Sequence, residues 1–155
     1  MSGNPRFRAT SKRHDANNEA VVVHCSDHRF QEGFHEFISD GLGLHTYALL
    51  AIPGGAHFGA MEQLQPKFAK VGLQSLKFLV KRSGARRIVV IGHDDCLFFK
   101  EQLQHFFTES DFNQKQIANL KRARVVLREW FPRAAVELYL ADADTDGSLQ
   151  FVDIR

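Results

Sequence analysis

The clearest indication of a fold in this sequence is the stretch from Ile88 to Cys96, IVVIGHDDC. Its four consecutive β-branched residues predict a strand that is buried on both faces, and the polar residues that follow predict the end of that strand. A second stretch of the same kind, VVVHCSDHR, runs from Val21 to Arg29. Both cysteines of the chain therefore stand at the end of a predicted buried strand or just beyond it.

Extended and helical patterns alternate along the rest of the chain. The predicted strands are 20–25, 47–52, 86–92, 135–141 and 149–154, and the predicted helices are 30–38, 67–82, 97–107 and 113–131. Strands separated by helices pair in parallel through right-handed crossovers, whereas the fifth strand follows the fourth after only a turn. We therefore predict an α/β fold whose doubly wound, mostly parallel sheet has the order 2-1-3-4, with an antiparallel fifth strand at the edge and flanking helices.

Composition limits the classes of protein to be considered. A chain of 155 residues with 44% hydrophobic and 25% charged residues is typical of one globular domain. The net charge of +2 is too small to indicate a nucleic-acid partner or an anionic membrane surface. The first 18 residues predict a basic N-terminal arm, and residues 19–155 predict the folded domain. Without a signal-peptide pattern or a long apolar run, the expected location is the cytoplasm.

The ends of the two buried strands carry a possible zinc site. Because ligands bind at the carboxyl ends of such strands, Cys25 and His93 would meet there if strands one and three are neighbours. Cys96, three residues after His93, could reach the same ion from the start of a helix. A Cys, His, Cys set suits zinc and leaves a fourth coordination position open.

Other interpretations of these residues stay open at this point. The cysteines could be small buried hydrophobic residues with His93 at a strand end, or they could form a disulfide, although chains without a secretory signal usually keep their thiols reduced. Asp27 and Arg29 favour a functional site, because charged groups that follow a buried strand need a partner. The alternative is a simple ion pair that holds a loop.

Two motifs resemble those of a known family. Cys25-x-Asp27-x-Arg29 and His93-x-x-Cys96 are similar to the Cys-x-Asp-x-Arg and His-x-x-Cys motifs of β-class carbonic anhydrases. The resemblance extends from about residue 20 to the end of the chain, since residues 139–149 resemble the family's closing hairpin. It implies a Zn²⁺ cofactor held by Cys25, His93 and Cys96. Asp27 would either pair with Arg29 or occupy the fourth zinc position.

The resemblance also implies a reaction. It is the reversible hydration of carbon dioxide to bicarbonate by a zinc-bound hydroxide, in a homodimer or a higher homo-oligomer. Asp27 would accept a hydrogen bond from the hydroxide, and Arg29 would keep Asp27 ionised and in place. The implied partner is a small-molecule substrate, with neither nucleic acid nor membrane involved.

Several positions depart from the family pattern. Leu97 follows the second cysteine, where the family usually has a small residue, and 53–57 replaces a loop that contains Arg and Asn. His28 stands where Ser is common, and Asn17 and Asn18 only approximate a glutamine before the first strand. These departures leave two alternatives open: hydrolysis of carbonyl sulfide or carbon disulfide, and a zinc-binding module without catalysis. If the bulky Leu97 narrows the pocket or moves the helix, it would favour one of these two alternatives over hydration of carbon dioxide.

Histidines and phenylalanines near the motifs suggest supporting roles. His24, His28 and His57 are candidate proton shuttles; His57, in a glycine-rich loop, is preferred, and His24 is expected to be a hydrogen-bonded core residue. Six phenylalanines are predicted to lie in the core or in a subunit interface, and some of them could line an apolar pocket. They are Phe30, Phe34, Phe98, Phe99, Phe106 and Phe107.

Overall fold

The computed structural model describes residues 5–14, 17–106 and 108–155, and within them five strands form one sheet in the order β2-β1-β3-β4-β5. The strands are β1 Ala20–Cys25, β2 Tyr47–Ile52, β3 Arg87–His93, β4 Ala135–Ala143 and β5 Leu149–Asp153. Neighbouring strands are parallel except β4 and β5, which are antiparallel. The predicted α/β class, strand order and edge strand are confirmed.

Helices connect the parallel strands. They are α1 Gln31–Glu36, α2 Pro66–Ser83, α3 Leu97–Leu103 and α4 Phe112–Trp130. Short 3₁₀ turns stand at His28–Phe30, Gly55–Ala60 and Glu109–Asp111, and a π-helical turn, Phe37–Gly41, continues α1. No helix of the described residues has both the length and the apolar character that crossing a bilayer requires.

Both faces of the sheet are covered, because alternate residues of the buried strands point to opposite sides. Val21 and Val23 of β1 pack with residues of α2 and α4, whereas Val22 packs with Phe34 and Ile38 on the side of α1. β1 is completely buried between β2 and β3. This burial holds the carboxyl ends of β1 and β3 side by side.

The helix predicted over 97–107 is shorter than expected. It ends at Leu103, after which the Phe106 N–H donates to the Leu103 carbonyl in a single turn. Thr108 then bonds the side chain of Asp111 at 2.8 Å and begins the approach to α4. Polar groups that bond near neighbours compete with helical hydrogen bonds, and this bond stands at the 3₁₀ turn before α4. Phe107 lies outside the described residues.

The other predicted boundaries agree with the structure to within two residues. β4 continues to Ala143 because Asp142 and Ala143 pair with Gln150 and Leu149 of β5. In the predicted N-terminal arm, residues 5–14 are exposed and form neither helix nor strand. The division of the chain at residue 18 stays a prediction.

Candidate metal centre

Three potential metal ligands meet at the carboxyl ends of β1 and β3. The Sγ atoms of Cys25 and Cys96 and a ring nitrogen of His93 all lie within 4.8 Å of one another. The three residues are 5%, 1% and 1% exposed, respectively. Both cysteines are free thiols, so they do not form the alternative disulfide. The structure thus brings together the three ligands that the sequence suggested.

The imidazole of His93 has one nitrogen available for a ligand. Its Nδ1 lies 2.7 Å from the carbonyl oxygen of Asp94, which assigns the ring proton to Nδ1 as donor. The Nε2 atom is buried without a hydrogen-bond partner. A buried acceptor of this kind is costly unless something binds it, and a backbone carbonyl on the opposite nitrogen is typical of histidines that bind metals.

The two thiols influence each other's protonation. Interaction with the neighbouring Cys96 thiol lowers the pKa of Cys25, and interaction with the Cys25 sulfur, followed by burial, raises the pKa of Cys96. Close sulfurs share one proton readily, so one thiolate forms easily and the second forms best beside a cation. Cysteine binds metals as the thiolate, which makes this pair suited to a divalent ion.

A glycine loop completes the surroundings of Cys25. After β2 the chain turns through Gly54 and Gly55, which have φ values of 75° and 52°. A Cβ at Gly55 would lie 2.9 Å from the backbone nitrogen of Cys25 and equally close to the backbone of His24. The loop therefore passes so close to the backbone of β1 that the position requires glycine.

Asp27 is paired with Arg29 and is separate from the group of three donors. The guanidinium donates from Nη2 to Oδ2 at 2.7 Å and from Nε to Oδ1 at 3.1 Å, and the Arg29 backbone N–H donates to Oδ1 at 3.0 Å. These bonds lower the pKa of Asp27 to about 2. Of the two arrangements considered for Asp27, the structure has the one in which the carboxylate faces the guanidinium.

The histidines differ from one another in exposure. His57 is 1% exposed, its Nδ1 lies 2.7 Å from Oδ1 of Asn119, and its ring stacks on Phe99. Burial lowers the pKa of His57 to about 4, so the ring is neutral and enclosed, contrary to its preferred role as a proton shuttle. His24 is the buried, hydrogen-bonded core residue that was expected. The side chain of His28 is 94% exposed beside Asp27.

The sequence left open whether the bulky residue after the second cysteine narrows the pocket. Leu97 is 56% exposed, so its side chain points to solvent and does not fill the space beside the thiols. Phe98 packs near Phe68 and would meet any Cβ at Gly54. Of the other phenylalanines named above, Phe30, Phe34 and Phe99 are buried and Phe106 is exposed.

The sequence of this chain matches a described family over most of its length. A profile of the family described as "putative carbonic anhydrase" matches residues 15–152. The chain belongs to this carbonic anhydrase family. The recognition made from the two motifs is confirmed. No curated protein is significantly similar to the chain in sequence.

Solved β-carbonic anhydrases have the same fold as this carbonic anhydrase family member. The isoform I protein of the protozoan Trichomonas vaginalis shares 17% identity, with 94% of this chain and 88% of that chain covered and a TM-score of 0.53. A protein of the fungus Aspergillus fumigatus shares 13% identity over 96% and 95% of the two chains, with a TM-score of 0.56. One of two tetrameric enzymes of Sordaria macrospora shares 15% identity over 90% and 83%, with a TM-score of 0.50.

Sequence reasoning missed three polar residues that hold this site together. Gln31 donates from Nε2 to the carbonyls of Cys25 at 3.0 Å and Asp27 at 2.6 Å. Gln116, buried on α4, donates to the carbonyl of His93. The third is Asp95, which binds Arg29. Asp95 lies within 88–96, between the two ligands of the second motif, so the sequence does give a signal for it. Gln116 has no local signal, because α4 approaches β3 only in the folded chain.

Proposed function

We propose that this protein is a zinc-dependent carbonate dehydratase that interconverts carbon dioxide and bicarbonate. The observation that carries the proposal is the buried group of Cys25, His93 and Cys96, in which the imidazole Nε2 has no hydrogen-bond partner. Membership in the carbonic anhydrase family supports the same reaction. Asp27 and Arg29, two and four residues after Cys25, would supply the polar groups that the reaction needs.

The residues fit a zinc ion. Zinc binds thiolate sulfur at about 2.3 Å and imidazole nitrogen at about 2.0 Å, so the donors of a tetrahedral site lie roughly 3.5 to 4 Å apart. The three donors already lie within 4.8 Å of one another, which requires only a small contraction. Two sulfur ligands favour zinc over magnesium or calcium. A zinc ion held there would act as a Lewis acid that makes a hydroxide nucleophile available near neutral pH.

Asp27 and Arg29 would orient the nucleophile. Because its pKa is lowered to about 2, Asp27 is ionised at neutral pH and acts as a hydrogen-bond acceptor. The side chain of Asp27 is 9% exposed, so little bulk water competes for its oxygens. By accepting a hydrogen bond from the attacking oxygen, Asp27 would direct a lone pair toward the carbon of the substrate, while Arg29 fixes the carboxylate.

The surroundings favour a small, apolar substrate. The two cysteines belong to an apolar cluster that includes Met61, Phe99 and Phe112, and the donors are almost completely buried. Carbon dioxide is linear, uncharged and small enough for such a site. The same apolar cluster favours a second candidate substrate, carbonyl sulfide or carbon disulfide, which the same nucleophile could attack.

We further propose that the protein is a homo-oligomer, at least a homodimer. Leu49 of the edge strand β2 and Phe106 after α3 are large apolar residues exposed in the single chain. Contact with a second chain would remove these side chains from water, which is favourable. The Sordaria macrospora enzymes of this fold are described as tetrameric, which supports an assembly of several chains.

Metal analysis joined to stopped-flow carbon dioxide hydration tests the proposed function. We expect about one zinc per chain and measurable hydration at pH 7.5. Asp27→Ala should keep its zinc and lose at least 100-fold in kcat/KM, whereas His105→Ala, at an exposed position, should behave like the wild type.

Each other outcome has a definite meaning. A chain that takes up no zinc would contradict the ligand assignment. Zinc without hydration, but with release of sulfide from carbonyl sulfide, would select the second substrate class. Zinc with neither activity would identify a metal-binding module, and full activity in Asp27→Ala would remove Asp27 from the mechanism.

A further inference from the structure

The ion pair between Asp27 and Arg29 is local, because the two residues are two positions apart on the loop after β1. Such a pair does not by itself fix where the carboxylate stands relative to His93 and Cys96, which follow β3. Gln31 anchors only the backbone of this loop, through carbonyl oxygens. A contact from the β3 side would hold these side chains in register with His93 and Cys96 as well.

Asp95 makes that connection. Arg29 donates from Nη1 to Oδ2 of Asp95 at 3.0 Å and from Nη2 to the Asp95 carbonyl at 3.1 Å. The same guanidinium therefore bonds Asp27 on one side and Asp95 on the other. Planar guanidinium groups bind carboxylates in a fixed geometry, so Arg29 acts as a rigid spacer between the two loops.

The position of Asp95 is itself tightly specified. It lies between the potential ligands His93 and Cys96, and its φ of 48° is the one positive value among the described non-glycine residues. Its second carboxylate oxygen accepts a hydrogen bond from Nζ of Lys100, on the first turns of α3. Two cations thus hold this side chain, although a glycine would adopt the backbone conformation with less strain.

We propose that Asp95 is a positioning residue, which holds Arg29 against the loop of His93 and Cys96 and thereby keeps the Asp27 carboxylate beside the metal position without occupying it. The inference rests on the proposed metal site and deepens the proposed function. Carboxylate oxygen is itself a zinc ligand type, so an Asp27 released from this arrangement can take the fourth position and close the site to substrate.

The test uses Asp95→Gly, because glycine keeps the backbone conformation and removes only the side chain. The cobalt(II)-loaded protein is titrated with azide, and the visible absorption of the metal reports whether the fourth position is open. We expect the wild type to bind azide and Asp95→Gly to bind it at least tenfold more weakly, with the cobalt content unchanged. The double variant Asp27→Ala/Asp95→Gly should recover the wild-type affinity, since it has no carboxylate to close the site.

A purely structural role for Asp95 would not produce this recovery. Equal azide affinity in Asp95→Gly and the wild type would overturn the proposal, and so would a double variant that stays weak. If Asp95→Gly loses its metal, the azide affinity of Asp95→Asn tests the proposal instead, because asparagine tolerates this φ and keeps the shape of the side chain. We expect it to bind azide a few-fold more weakly than the wild type, with recovery in Asp27→Ala/Asp95→Asn; an unchanged affinity would overturn the proposal.

Azide binding is independent of turnover, which separates this proposal from the proposed function. A wild type that binds cobalt and azide but does not hydrate carbon dioxide would contradict the function and leave the role of Asp95 supported by the variants. A wild type that takes up no metal would overturn both.

Discussion

The backbone N–H of Gly54 donates a hydrogen bond to Sγ of Cys25 at 3.2 Å. The loop after β2 therefore contacts one of the proposed ligands directly, although no residue of this loop is itself a ligand of the group. A backbone donor stabilises the thiolate form without adding a side chain near the metal position. The conformation of this loop should consequently matter both to stability and to metal uptake.

Gly55→Ala should be strongly destabilising. The new Cβ would lie 2.9 Å from backbone atoms of His24 and Cys25, which cannot move without disturbing β1. We expect the free energy of unfolding to fall by about 3 kcal/mol or more, and zinc affinity to fall with it. Urea denaturation and metal analysis measure the two effects.

Gly84→Ala is the matched control for Gly55→Ala. Gly84 ends α2 with a φ of 65°, but a Cβ there would meet no atom within 4 Å. Only the left-handed backbone conformation is penalised, so we expect a loss of about 1 kcal/mol and normal zinc binding. Equal losses in the two variants would show that the close approach of Gly55 to Cys25 has no energetic consequence.

Zinc should stabilise the folded chain through the three donors. At free zinc about 100-fold above its dissociation constant, binding adds about 2.7 kcal/mol to the free energy of unfolding. We expect this increase in the wild type and in His105→Ala. In Cys25→Ser and Cys96→Ser, added zinc should raise the free energy of unfolding by less than about 0.5 kcal/mol. The measurement compares urea denaturation of chelator-treated protein with and without added zinc. Full stabilisation of both serine variants would contradict the ligand assignment.

The arrangement of the strands could be predicted because each strong signal was local. The β-branched runs at 21–23 and 88–91 require burial on both faces, and the short turn between 142 and 147 permits only an antiparallel partner. The meeting of Cys25 with His93 then follows from parallel pairing of β1 with β3, which the structure has.

What could not be predicted depends on packing between distant segments. The preference for His57 as a proton shuttle failed because α4 places Asn119 against its ring and Phe99 covers it. The sequence also left open whether Leu97 narrows the pocket, and in the folded chain the start of α3 turns this side chain outward. Neither orientation leaves a periodic or local trace in the sequence.

The buried His57 should make stability depend on pH. Its folded-state pKa of about 4 lies below the value of about 6.5 expected in the unfolded chain. As the pH falls below 6.5, the unfolded chain binds the proton first, so the stability present above pH 6.5 is lost progressively until about pH 4. The loss amounts to up to about 3 kcal/mol.

His57→Phe should remove this part of the pH dependence, since phenylalanine can stack on Phe99 but does not titrate. Urea denaturation of chelator-treated protein at pH 7, 5.5 and 4.5 gives the free energy of unfolding at each pH. Both proteins contain the two thiols, so the difference between their pH dependences reports the contribution of His57 alone. His35→Ala, at an exposed position, should keep the wild-type dependence. Parallel curves for the wild type and His57→Phe would show that His57 is not held neutral by burial.

Of the two residues after Cys96, we expect Phe98 to support the site and Leu97 to have little effect on it. Leu97 is exposed, so Leu97→Gly should leave zinc content unchanged and alter kcat/KM for carbon dioxide less than twofold. Phe98 packs against Gly54 and Phe68, so Phe98→Ala should lower the free energy of unfolding by about 2 kcal/mol and weaken zinc binding, because the Gly54 loop loses its support. Stopped-flow hydration, metal analysis and urea denaturation give the three values. A large gain of hydration in Leu97→Gly would show that Leu97 blocks the site, and would favour the non-catalytic module for the natural chain.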